Sequence, residues 1–153
     1  MNSSVLKGRP RNGSGAGLVI QPASPWLAPL AGYSYLPFRL LCRELVSAKG
    51  IYYSLSQLAP PLLEEVNGKG GKGGKGTWAL LASPEEDDPL VVQLFGAEAE
   101  IVKAAAFAVL ELFEGRNIYF DLNMGCSVPK VVKTGAGAVM LEDVPNALKV
   151  ARA

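Results

Sequence analysis

The sequence contains no histidine and only two cysteines among its 153 residues. The absence of histidine excludes Ser-His-Asp triads, histidine-ligated metals and imidazole acid–base catalysis. Two thiols without histidine also fall short of a structural zinc site, so we predict no bound metal. Any chemistry must therefore use Cys42, Cys126, lysines, carboxylates or a cofactor.

The sequence also has almost no net charge and no long apolar runs. The formal net charge of +1 gives no general reason to expect a nucleic-acid or membrane partner. No apolar run approaches the roughly 18 residues of a membrane span, and the N-terminus lacks the basic-then-apolar pattern of a signal peptide. We therefore expect no membrane partner and a cytoplasmic location, in which both cysteines stay reduced.

The sequence divides into a tail and one domain. Residues 1–17 are polar and glycine-rich and contain three basic residues, which predicts a disordered basic tail. Residues 18–153 form the predicted domain, in which the low-complexity segment 68–76, GKGGKGGKG, is predicted to be a flexible insertion. A phosphate-binding loop needs Ser or Thr directly after Gly-Lys, which this segment does not provide. Contact with phosphate or RNA is the alternative for both segments.

Within the domain, apolar strands alternate with helical patterns. The strands are predicted at 26–32, 78–82, 89–96 and 118–122, and the helices at 37–45, 54–66, 98–113 and 145–153. The acidic run 85–88 is predicted to be a solvated turn. This alternation indicates βαβ units and a parallel sheet. A closed (β/α)8 barrel takes roughly 250 residues, which is more than this chain has. The predicted fold is therefore α/β, an incomplete barrel that corresponds to the N-terminal half of a (β/α)8 barrel.

Five motifs occur in an order that resembles one enzyme family. They are LAPLAG at 27–32, LPFR at 36–39, VVQLFG at 91–96, DLNMGCS at 121–127 and VVKTGAG at 131–137. Together they resemble the tRNA-dihydrouridine synthases, in particular the bacterial synthase B-like branch, over about residues 26–152. The resemblance implies a flavin-dependent (β/α)8 barrel that reduces the C5=C6 bond of a uracil in tRNA. It also implies FMN as cofactor, NADPH as reductant and tRNA as partner.

The same resemblance implies a catalytic role for Cys126, as the acid that protonates C5 of the uracil. A thiol suits this role because it is neutral at neutral pH and still releases its proton readily. The alternative is an inert cysteine at the end of a strand, but an exposed loop position beside glycine favours the catalytic role. Cys42 lies on the apolar face of a predicted helix, which favours core packing.

Five residues are implied to bind the flavin. Pro29, Leu30 and Ala31 match the first-strand segment that lies against the isoalloxazine ring. Gln93 is suited to hydrogen-bond the pyrimidine edge of the flavin, and Asn123 is expected near the ring and the substrate. Gln93 is the one polar residue of an apolar strand, and as a plain core residue it is expected to be an unpaired buried amide.

The sequence also departs from the family pattern. Ser127 stands where the family usually has proline, and Tyr35 where an aspartate is common. A turn and a strand, about ten residues in total, are missing before residues 46–50. The second half of the barrel, with its phosphate site at the last two strands, is also missing. We therefore expect this polypeptide alone to bind FMN poorly and to have little activity.

Two alternatives to this function remain open. The first is a non-catalytic half-barrel that associates with itself through exposed sheet edges. The second is an FMN barrel acting on a free pyrimidine, as dihydroorotate and dihydropyrimidine dehydrogenases do. The motif at 121–127 favours the tRNA enzyme over the second alternative.

Overall fold

The computed structural model describes residues 27–30, 33–46, 52–53, 57–58, 81, 83–84, 87, 90–116 and 118–153. The predicted tail at 1–17 and the predicted insertion at 68–76 lie outside these residues. The described elements, in chain order, are α1 (Leu36–Val46), β1 (Tyr52–Tyr53), β2 (Gln57–Leu58), β3 (Leu90–Phe95), α2 (Ala99–Leu112), β4 (Ile118–Leu122), α3 (Pro129–Val132), a 3-10 helix (Gly137–Glu142) and α4 (Val144–Ala151).

The strands form one parallel sheet around β3. On one edge, β4 pairs with β3 from Leu90↔Ile118 to Leu94↔Leu122. Since a strand has two edges, β1 and β2 share the other one: Tyr52 is opposite Leu90 at its amino end, and Gln57 is opposite Leu94 at its carboxyl end. The predictions of an α/β fold, of a parallel sheet and of strands at 89–96 and 118–122 are confirmed.

The core lies between β3 and two helices, α2 and α4. Val92 and Leu94 alternate along β3 on the face that packs against Ala105 and Val109 of α2. Met140 and Val150 close this cluster from the 3-10 helix and α4. Because β3, α2 and β4 follow one another and the strands are parallel, they form one βαβ unit, and the predicted helix at 98–113 is confirmed.

Helix α1 forms where it was predicted, but its leucines are not its most buried residues. Leu41 and Leu45 are 48% and 74% exposed. The fully buried side chain is Arg39, whose guanidinium bonds the carboxylate of Asp87 from Nε at 2.9 Å and from Nη2 at 2.8 Å. Arg43 donates to the other carboxylate oxygen at 3.0 Å. The prediction of a solvated turn at 85–88 is therefore wrong at Asp87, because two guanidiniums compensate its burial.

Three other predicted elements differ from the structure. Of the first predicted strand, residues 27–30 are described: Leu27 makes an isolated β-bridge and the next three residues have no regular structure. Pro29 lacks an N–H, and the N–H of Leu30 donates to Ser34 Oγ at 2.6 Å instead of to a neighbouring strand. Residues 57–58 are a strand inside a predicted helix, and Leu81 is helical inside a predicted strand. Tertiary pairing with β3 overrides local composition at 57–58.

None of the helices in the described ranges combines the length and the apolar content that crossing a bilayer requires.

Candidate functional site

The candidate site lies at the carboxyl ends of β3 and β4, which meet at one edge because the strands are parallel. The register places Gln93 of β3 directly opposite Asp121 of β4, so both side chains project from the same face of the sheet. That face is opposite to the one that packs on α2, since Val92 and Leu94 alternate with Gln93. Asn123 extends the ladder one step further, because its N–H donates to the carbonyl of Leu94 at 2.9 Å.

Asn123 shapes the loop that contains Cys126. Its Oδ1 accepts hydrogen bonds from the backbone N–H of Gly125 at 3.1 Å and of Cys126 at 3.0 Å. An asparagine that bonds the backbone two and three residues ahead stabilises a tight turn. The strand therefore ends in a turn that its last amide side chain holds, and Cys126 lies within that turn.

The two predicted amides are joined to each other and to a carboxylate. Asn123 Nδ2 donates to Gln93 Oε1 at 2.9 Å, and Gln93 Nε2 donates to Asp121 Oδ2 at 2.5 Å. Gln93 is buried, at 7% exposed, and Asp121 is half-buried. The expectation that a core Gln93 lacks partners is therefore wrong, because neighbouring strand ends satisfy its amide.

The backbone of Cys126 is also held from the opposite side of the loop. Its carbonyl accepts a hydrogen bond from the N–H of Ala138 at 2.9 Å. This approach depends on Gly137, which has a φ of 70°: a Cβ at this position would collide with the Cys126 carbonyl oxygen and lie 2.9 Å from Val131 Cγ1. The loop is thus fixed on one side by Asn123 and on the other by residues 137–138.

The predicted site residues fall into two groups. Gln93, Asn123 and Cys126 are brought together by the bonds described above. Pro29 is half-buried and Leu30 is 47% exposed, and the hydrogen bonds of Leu30 lie within its own turn, to Tyr33 and Ser34. Ala31 lies outside the described residues, so the flavin-contact role of the 29–31 segment stays a prediction.

Cys126 and Cys42 are both half-buried, and neither takes part in a disulfide in the described part of the chain. The exposed position expected for Cys126 is therefore only partly present: Gly125 and Ser127 on either side are exposed, while the cysteine itself is shielded. A half-buried thiol in a fixed loop is both reachable by a substrate and constrained in position. Those are the properties required of a proton donor that acts on one atom.

Sequence reasoning missed two residues of this site. Asp121 was part of a motif but received no role, although it is a charged residue in an otherwise apolar strand, two positions before Asn123. That spacing places both on one face of a strand and was an available signal. Gly137 had no comparable signal, because its contact with Cys126 depends on a chain reversal ten or more residues later.

A cavity of about 310 Å³ lies next to the site but has a different character. Its lining is mainly apolar and includes Leu94, Val102, Phe120 and Val150, with Lys103 and Asp121 as its charged members. Among the described residues, no group of three or more cysteine and carboxylate side chains is placed to hold a metal ion.

The comparisons with known proteins agree on one family. Residues 26–153 match the family model described as Dihydrouridine synthase (Dus). The chain is 33% identical over 119 residues to a probable tRNA-dihydrouridine synthase of Aquifex aeolicus, covering 78% of this chain and 34% of the relative. It is 32% identical over 117 residues to tRNA-dihydrouridine synthase B of Pseudomonas syringae, covering 76% of this chain and 31% of the relative.

A eukaryotic relative shows the same similarity. The chain is 32% identical over 155 aligned positions to a protein of Aspergillus terreus named tRNA-dihydrouridine(47) synthase, with NAD(P)(+) in its name, covering 88% of this chain and 20% of the relative. The chain spans about a third of the length of the two bacterial relatives, 34% and 31%. The matched residues contain β3, β4 and the loop of Cys126, and on this match the chain belongs to the dihydrouridine synthase family.

Proposed function

We propose that this chain contributes the flavin- and uracil-facing part of an enzyme that reduces uridine to 5,6-dihydrouridine in tRNA. The observation that carries the proposal is the cluster of Gln93, Asn123 and Cys126 at the carboxyl ends of two parallel strands. In parallel α/β folds, ligands bind at this end of the strands. The family and the names of the relatives supply the substrate class, which is a tRNA uridine.

Cys126 is proposed as the acid that delivers a proton to C5 of the uracil. Reduction adds a hydride to C6 and a proton to C5, so uridine, NADPH and one proton give dihydrouridine and NADP⁺. The thiol releases its proton to C5 and is reprotonated from solvent, which the exposed neighbours Gly125 and Ser127 admit to the loop. The bonds to Asn123 Oδ1 and from Ala138 N hold the cysteine backbone during this transfer.

The donors and acceptors present fit the polar edge of a flavin. FMN, reduced by NADPH, would supply the hydride for C6. Asn123 donates one N–H to Gln93 and accepts two bonds at Oδ1, so its second N–H is the donor we expect to face the flavin or the uracil. Gln93 is proposed at the pyrimidine edge, with Pro29, Leu30 and Ala31 against the ring as in the family pattern.

tRNA contact is proposed at the exposed basic residues beside the loop. Lys130 and Lys133 are exposed and lie on or next to the short helix α3, which follows Cys126 within seven residues. Lysine binds phosphate as a compact positive charge. A tRNA substrate also agrees with the cytoplasmic location expected from the sequence. The relatives' names favour this substrate over a free pyrimidine.

The proposal is tested in cells that lack the coding sequence of this chain. Since the chain is proposed to contribute only a part of the enzyme, the test is made in the cell, where the rest of the enzyme is expected to be present. Mass spectrometry of nucleosides from purified tRNA is expected to show a lower dihydrouridine content, which the reintroduced wild-type sequence restores. Cys126→Ala is expected not to restore it, because alanine has no proton to give. Cys42→Ser is the matched control, since Cys42 is also half-buried but lies on α1, and it is expected to restore dihydrouridine fully. Unchanged dihydrouridine in the deletion strain would contradict the proposed function.

A further inference from the structure

Asp121 has no role in the function proposed above, yet it ends the hydrogen-bond chain that runs through both amides. We propose that Asp121 is a positioning residue: its carboxylate sets the orientation of the Gln93 and Asn123 amides, and these hold the loop of Cys126. The inference deepens the proposed function and rests on it in one respect, that Cys126 is the reactive group.

The direction of this hydrogen-bond chain is set by Asp121, which lies at one of its ends. A carboxylate has only acceptors, so Gln93 must turn its NH₂ group toward Asp121, and Nε2 lies 2.5 Å from Oδ2. The Gln93 carbonyl oxygen then faces the other way, where it accepts from Asn123 Nδ2 at 2.9 Å. This leaves Oδ1 of Asn123 directed at the loop.

The last members of the chain impose the same direction. The backbone N–H groups of Gly125 and Cys126 are donors only, and both donate to Asn123 Oδ1. The direction of the hydrogen bonds is therefore fixed at both ends, by the Asp121 carboxylate and by the two backbone N–H groups. Neither amide can rotate by half a turn without breaking the bonds on both of its sides, so one carboxylate orients groups up to five residues further along the sequence.

Burial makes this order strong. Gln93 is 7% exposed, and the bond to Asp121 has an ionised acceptor and is the shortest of the four. A bond in which the acceptor is ionised is stronger than one between neutral groups, and a misoriented buried amide loses its partners at full cost. The carboxylate thus opposes inversion of the amides, which would break the hydrogen bonds that Gly125 and Cys126 donate to Asn123.

The experiment exchanges donor and acceptor without changing side-chain shape. Gln93→Glu places a second acceptor opposite Asp121, so the hydrogen-bond chain from Asp121 to Asn123 can no longer form. We expect hydrogen exchange at the backbone amides of Gly125 and Cys126 to rise by about fivefold or more, as follows from losing a net hydrogen bond. The double variant Gln93→Glu/Asp121→Asn restores a donor opposite an acceptor and keeps the net charge, so exchange is expected to return to the wild-type rates.

Two further variants separate orientation from simple loss of structure. Asp121→Asn keeps an oxygen acceptor for Gln93 but loses the charge and adds a donor, so exchange at Gly125 and Cys126 is expected to rise, by less than in Gln93→Glu. Asp121→Leu removes the acceptor and is expected to raise exchange as much as Gln93→Glu does. The amide of Phe113, which bonds the Val109 carbonyl at 3.1 Å at the end of α2, reports on the fold and is expected to stay constant.

Each result decides the inference. Unchanged exchange in Gln93→Glu, or a double variant no closer to wild type than Gln93→Glu, overturns it. If Gln93→Glu unfolds the chain, recovery of the folded amide spectrum in the double variant supports the inference, and an unfolded double variant overturns it. These measurements use the full chain without flavin or tRNA, so they can fail while the dihydrouridine test succeeds, and the reverse.

Discussion

The backbone around Cys126 depends on a single glycine. Gly137 has a φ of 70°, and it lies where a side chain would meet the Cys126 carbonyl and Val131. Two other glycines separate these two effects. Gly115 has a φ of 85° with open space around it, and Gly125 has open space without a positive φ.

Replacing each of these glycines by alanine gives a graded prediction. Gly125→Ala is expected to leave the free energy of unfolding nearly unchanged, and Gly115→Ala to lower it by about 1–2 kcal/mol through backbone strain. Gly137→Ala is expected to lower it by more, because a collision adds to the strain, and to change the rate at which iodoacetamide alkylates Cys126. Urea unfolding and peptide mass spectrometry measure the two effects. A Gly137 variant that behaves like the Gly125 variant would show that the close approach is unimportant.

At the scale of elements, a buried carboxylate connects segments that are distant in sequence. Asp87 is fully buried and pairs with Arg39 and Arg43 of α1, and Ser83 Oγ donates to it at 2.9 Å. Arg116, just before β4, donates to the carbonyls of Ser83 at 2.7 Å and Asp87 at 2.6 Å. This cluster joins α1 to the segments that precede β3 and β4, at the end of the sheet opposite Cys126.

Asp87→Asn is expected to lower the free energy of unfolding by about 3 kcal/mol or more, because two arginines lose the charge that compensates them and one of these is fully buried. Glu114→Gln removes the same charge at an exposed position and is the matched control, expected to change stability by less than about 0.5 kcal/mol. Chemical denaturation followed by circular dichroism measures both. Equal effects of the two variants would contradict a stabilising role of the cluster.

At the scale of the whole molecule, one edge of the sheet has little cover from the residues that the structure describes. Within the described part of the chain, β4 pairs with β3 alone, and Phe120 in its centre is 39% exposed. Phe120 also lines the apolar cavity beside α2 and α4. An exposed strand edge next to an apolar surface favours pairing with another copy, which is the self-association expected from the sequence.

Light scattering across a concentration series tests this expectation. The chain is expected to show an average mass that rises above 16.1 kDa with concentration. Phe120→Lys is expected to reduce the rise, since a charge on an edge strand disfavours pairing. Val144→Lys changes an exposed apolar residue, 55% exposed and away from β4, and is expected to have no such effect. A monomer at all concentrations would contradict self-association.

Much of the fold around the site could be predicted because its signals are local. The apolar strands at 89–96 and 118–122 and the helical spacing between them identify a βαβ unit without any tertiary information. The same holds for Asn123 and Cys126, since a polar group directly after an apolar strand lies at the carboxyl edge of a parallel sheet. The predictions were wrong where long-range contacts decide, as at 57–58, which pairs with β3, and at Asp87.

The sequence by itself therefore determined the class of fold, the family and the edge of the sheet at which the candidate site lies. Tertiary structure alone decided the partners: that Gln93 is opposite Asp121, that Arg39 is buried against Asp87, and that Gly137 meets Cys126. The physical reason is that periodicity fixes which face of an element is apolar, whereas strand register and chain reversals fix which polar groups meet. A buried polar group is stable only when those partners are in place.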